Sequence, residues 1–85
     1  MSIKLKLHRV ILLVLNQCDG VPMPENVLVD AAALLLRVEA PTRDDIADAL
    51  KDVEAAGYAA GLSDDIAGRS WTLTGKGTHK ARQLR

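Results

Sequence analysis

Apolar residues recur at positions 3, 7, 10, 11, 14, 15 and 18, a three- and four-residue spacing that predicts an amphipathic helix from Ile3 to Cys18. Leu12 and Leu13 widen its apolar face, so this helix is either central to the domain or part of a dimer contact. Asp19-Gly20 closes it, with Gly20 suited to a left-handed cap. Val21-Pro22-Met23-Pro24 reads as an extended connector, because each proline steers its predecessor away from helical geometry. A second helix starts at Pro24 or Glu25 and runs to Arg37, with Val27, Leu28, Ala31, Leu34 and Leu35 as its buried face.

Thr42 is a strong N-cap, and Asp45 three residues on completes a capping box for a third helix that reaches Ala56. Ile46, Ala49, Leu50 and Val53 form its inner stripe, and Gly57 ends it. The periodicity then changes to two. Tyr58–Leu62 and Arg69–Leu73 read as the strands of a ribbon, joined by a turn over Ser63–Gly68. Trp71 and Leu73 share one face of the return strand. Thr74 caps a last short helix ending at Leu84, docked by Ala81 and Leu84. The expectation is one mainly α domain over residues 1–85: a three-helix bundle, a two-stranded β-hairpin and a short C-terminal helix.

Composition sharpens this picture. With 85 residues, no Phe, one Trp and one Tyr, the core rests on aliphatic side chains and alanine. A domain of this size buries only roughly 60–65% of its extended surface, which favours help from a dimer partner. The apolar run Val10–Leu15 is six residues long, too short for a membrane span, and no cleavage pattern follows it. The chain reads as soluble and cytoplasmic, in a reducing setting that suits its single cysteine, Cys18, a small apolar packing residue.

Charge balances overall but not locally. Lys4, Lys6 and Arg9 make the start basic, and Arg69, Lys76, Lys80, Arg82 and Arg85 make the end basic. The middle is acidic, with Asp44, Asp45, Asp48, Asp52 and Glu54 on the third helix and Asp64 and Asp65 in the hairpin turn. No metal-ligand spacing, phosphate loop or nucleophile–base pair is present: Lys76 is followed by Gly77 rather than by a hydroxyl residue, and His8 and His79 have no catalytic context. Neither a cofactor nor an enzymatic activity is expected. Macromolecular recognition remains.

Leu50-x-x-Val53-Glu54-x-x-Gly57-Tyr58, followed by Trp71-Thr72-Leu73-Thr74-x-x-Gly77, resembles the winged helix-turn-helix superfamily, in particular small bacterial or prophage-type regulators. The resemblance spans nearly the whole chain. It implies that the third helix is the recognition helix, that the hairpin is the wing, and that the domain binds double-stranded DNA in transcription regulation. The expected DNA-binding residues are Arg43, Lys51, Arg69, Lys76, Lys80 and Arg82. Gly57, Tyr58, Trp71 and Gly77 have structural roles at the helix–wing junctions, with the two rings covering the end of the core. A homodimer through the first helix and the last is expected. The acidic third helix supports an alternative, a winged-helix protein–protein interaction or scaffold module that does not touch DNA.

Overall fold

The computed structural model describes residues 3–18, 20–64 and 68–84. Helix α1 (Ile3–Asn16) buries Leu7, Ile11, Leu12 and Leu15, and it touches every other helix and the central strand. Its broad apolar face is therefore that of a central helix. The last predicted turn loosens: Gln17 and Cys18 donate to Val14 and Leu15 carbonyls at 3.2 and 3.1 Å, and Gly20 takes φ +82°. Asp19, read with Gly20 as the helix stop, lies outside the described residues.

The stretch read as a connector pairs as a strand. β1 (Met23–Pro24) lies antiparallel to β3 (Gly68–Leu73), Met23 opposite Trp71 and Pro24 opposite Ser70. β2 (Ala59–Asp64) pairs with the other edge of β3, from Ala59 opposite Leu73 to Asp64 opposite Gly68. The expected two-stranded ribbon is thus part of a three-stranded antiparallel sheet of order β1-β3-β2. Pro24, which has no N–H, is tolerated because β1 is an edge strand. Both strands of the hairpin reach into the predicted turn, whose residues 65–67 lie outside the described set.

Helix α2 (Glu25–Leu35) follows β1 without a loop and stops two residues before Arg37. Its orientation corrects the sequence reading. Leu28, Val29 and Ala32 are buried, whereas Val27, Leu34 and Leu35 are 47%, 66% and 63% exposed. Two apolar stripes run along this helix at helical spacing, and the structure buries the one that holds Leu28 and Ala32. Trp71 Nε1 donates to Glu25 Oε1 at 3.0 Å, which ties the start of the helix to the central strand.

Helix α3 (Arg43–Ala55) carries the predicted capping box, with Thr42 Oγ1 accepting from Asp45 N at 3.1 Å and Asp45 Oδ2 accepting from Thr42 N at 3.0 Å. Ile46, Ala49, Leu50 and Val53 are buried. Its C-terminus is a Schellman motif: Tyr58 N donates to Val53 O at 3.1 Å, Gly57 N donates to Glu54 O at 2.9 Å, and Gly57 takes φ +82°. Helix α4 (Gly75–Gln83) is capped by Thr74 Oγ1, which accepts from Gly77 N at 3.0 Å. Ala81 is fully buried against α1, and Leu84 packs on the core. Among the described residues no helix is long and apolar enough to cross a membrane.

Candidate nucleic-acid interface

The outer face of α3 begins with Thr42 and continues through the exposed residues Arg43, Asp44, Asp45, Ala47, Asp48, Lys51 and Ala55. By simple count the helix is acidic, and the tertiary structure pairs two of its carboxylates with cations from other elements. Asp52 Oδ2 is held by Lys4 Nζ at 3.1 Å and His8 Nε2 at 3.2 Å, both from α1. Glu54 Oε2 is held by Arg69 at 3.1 Å. Asp45 is engaged in the capping box. Asp44, Asp45 and Asp48 remain facing outward beside Arg43 and Lys51, so the exposed surface of α3 is mixed in sign and still net acidic. Asp44 also lies in the first turn, where the helix dipole offsets part of a negative charge.

The same contacts use up cations. Lys6 donates to Glu39 Oε1 at 2.7 Å. This bond, above all, lowers the Glu39 pKa from its ordinary value. The hydrogen bond from Lys4, followed by that from His8, lowers the Asp52 pKa. Both carboxylates are therefore easier to ionise folded than unfolded. The stability they contribute is complete above the ordinary carboxylate range, about pH 4, and is lost as pH falls through their lowered folded-state values. Thermal melts from neutral pH down to about pH 3 are expected to fall less steeply for Asp52→Asn than for the native chain. Equal slopes would remove this pair from the acid response.

The six residues expected at DNA separate into distinct settings. Arg43 is exposed and lies 3.8 Å from Asp30 of α2. Lys51 is exposed and makes no ion pair among the described residues. Arg69 bonds Glu54 and lies over the Trp71 ring, 4.8 Å from its centroid, which ties its charge to the junction of α3 and the sheet. Lys76 donates to the Ala56 carbonyl at 2.9 Å and covers the Tyr58 ring at 5.1 Å, where it neutralises the C-terminal end of α3. Lys80 borders an apolar cleft of about 330 Å³ between α1, α3 and α4. Arg82 is exposed on α4, which contains no acidic residue.

No protein-family model matches the chain, and no significant match exists among curated proteins or solved structures. The reading of the surface therefore rests on its own geometry. The N- and C-terminal basic segments do meet: Arg9 of α1 donates to the Leu84 carbonyl at 3.1 Å and shares the rim of the cleft with Lys80. Lys4 and Lys6 are drawn away into ion pairs, so only part of the basic start joins α4. Sequence reasoning missed the ties from Lys4 and His8 to Asp52. They join residues more than forty positions apart, and no local pattern announces them. Among the described residues, no three His, Cys, Asp or Glu side chains gather as a metal site.

Proposed function

We propose that the chain is a winged-helix domain that binds double-stranded DNA, with α3 and the β2–β3 ribbon as its contact surface, as a small transcription regulator. The observation that carries this reading is topological. The elements run α1-β1-α2-α3-β2-β3, the strands are ordered β1-β3-β2, and α3 is exposed along one side just before the ribbon. A helix presented in this way, next to a projecting two-stranded ribbon, fits the major groove while the ribbon lies along the adjacent backbone.

The mixed charge of the α3 surface sets the expected strength. Lys51 and Arg43 are its available cations, with α4 adding others at a distance. Few phosphates are then neutralised, so binding is modest and its salt dependence shallow, with a slope of about −0.9 per phosphate contacted. Lys51→Glu is expected to weaken binding to a mixed duplex pool by about tenfold, and Asp48→Asn to strengthen it several-fold, because both sit where phosphates approach. Fluorescence anisotropy at low and moderate salt measures both. If neither substitution changes the affinity, α3 is not the contact.

A second reading, protein interaction without DNA contact, is favoured by the outward carboxylates Asp44 and Asp48 and by the exposed apolar side of α2. A native chain that shifts no duplex at low salt, while its melting profile stays cooperative, would favour that second reading.

A further inference from the structure

We propose that the cleft between α1, α3 and α4 binds a small amphipathic anion, a compact hydrocarbon body that carries one carboxylate. The cleft has a volume of about 330 Å³, at the lower end of the range in which small-molecule sites fall. Leu5, His8, Arg9 and Leu12 recur at three- and four-residue spacing and give α1 a second face, beside the stripe of Leu7, Ile11 and Leu15 that enters the core. α3 meets that face with Val53 and Ala56. Leu12 and Val53 are buried and form the floor. Ala56, which follows the last turn of α3, is too small to fill the space above them. Leu5 and Leu84 carry the apolar lining outward to the surface, and Tyr58 adds an aromatic side chain.

The charges at this cleft identify the class of ligand. Its one carboxylate among the described residues, Asp52, is held by Lys4 at 3.1 Å and His8 at 3.2 Å, so its charge is already answered within the fold. Two cations are not answered in that way. Arg9 donates to a neutral acceptor, the Leu84 carbonyl, at 3.1 Å. Neither Arg9 nor Lys80 makes an ion pair among the described residues. The dipole at the C-terminal end of α4 offsets about half a charge, which leaves the rim positive. A cationic ligand would be repelled there, and a neutral hydrocarbon would leave both cations without a partner. A carboxylate at the rim with its hydrocarbon body over Leu12 and Val53 satisfies both parts of the site.

This site does not rest on the DNA reading, and no duplex enters its test. Amide chemical shifts of the full chain are followed while cinnamate, its neutral amide cinnamamide, or octanoate is added at neutral pH. Cinnamate should bind saturably with Kd below about 1 mM, as fits so small a ligand, and shift the amides of Leu12, Val53 and Tyr58. Cinnamamide should bind at least tenfold more weakly. Lys80→Gln should weaken cinnamate about fivefold and leave cinnamamide unchanged. Ala56→Phe, which adds bulk over the floor, should abolish binding of both. A tighter fit for octanoate than for cinnamate would support the site and make the natural body an acyl chain; the reverse order would support it and make that body aromatic. No saturable binding of either acid up to about 10 mM, well above the expected constant, would overturn the proposal. Equal binding of cinnamate and cinnamamide would overturn the anionic class, and a Lys80→Gln variant that binds cinnamate as the native chain does would overturn the placement at this cleft.

Discussion

Gly77→Ala is expected to destabilise the chain by at least about 3 kcal/mol, although alanine is the better helix former by roughly 1 kcal/mol. Gly77 is the third residue of α4, and its Cα lies against the backbone of Tyr58. A Cβ there would overlap the Tyr58 carbonyl oxygen, come within 2.7 Å of the carbonyl carbon and reach 3.0 Å from Leu73 Cδ2. The carbonyl cannot step aside easily, because it accepts from Thr74 N at 3.0 Å. Thr74 in turn donates its hydroxyl to the Gly57 carbonyl at 2.6 Å while accepting from Gly77 N. Moving α4 outward would break this knot and lift Ala81 from α1. Gly75→Ala is the control. It lies in the same helix with nothing within 4 Å of its added carbon, so helix propensity alone applies and stability should rise or hold. For a domain of this size the Gly77 loss corresponds to a fall of roughly 10–20 °C in melting temperature. Equal melting temperatures for the two variants would mean that α4 and Tyr58 part to admit the added carbon at no cost.

The sequence made α3 legible because independent local signals agreed. Thr42 and Asp45 marked the start, the Ile46–Val53 stripe fixed the inner face, and Gly57 marked a stop that only a left-handed residue completes. The same holds for Thr74 at α4. The rotation of α2 was not legible, because its sequence supports two apolar faces and the choice is made by tertiary contacts, among them the bond between residues 25 and 71. β1 was not legible as a strand for a related reason. Met23, set between Pro22 and Pro24, has extended geometry in any context, and only the approach of β3 turns that into pairing.

The surface was legible in part. The phase of α3 put Arg43, Asp44, Asp48, Lys51, Asp52 and Ala55 outside; the structure exposes all of these except Asp52, which α1 half-covers. The charge of that surface was not, because summing charges along a segment treats every carboxylate as exposed to a ligand. Asp52 and Glu54 are tied by α1 and β3, and Arg69, expected at DNA, is the cation that ties Glu54. Electrostatic character of a recognition surface is thus a tertiary property, set by which pairs the packing closes.

Trp71→Ala is expected to cost about 3–5 kcal/mol, enough to leave the chain largely unfolded at physiological temperature. The ring is 1% exposed on the central strand, and through it the sheet meets the helices. Its position opposite Met23 on one side and Gly61 on the other makes it the common neighbour of β1 and β2. Its indole N–H holds Glu25, the first residue of α2. Trp71→Phe separates the two contributions. It keeps most of the packing but leaves Glu25 without its donor, and should cost only about 1–2 kcal/mol. Since Trp71 is the only tryptophan, unfolding in urea must be followed by far-ultraviolet circular dichroism rather than by indole fluorescence. If α2 is oriented by the Trp71–Glu25 bond, Glu25→Ala and Trp71→Phe should be less than additive when combined, because each removes the same interaction. Full additivity would mean that α2 takes its orientation from the Leu28–Ala32 packing alone.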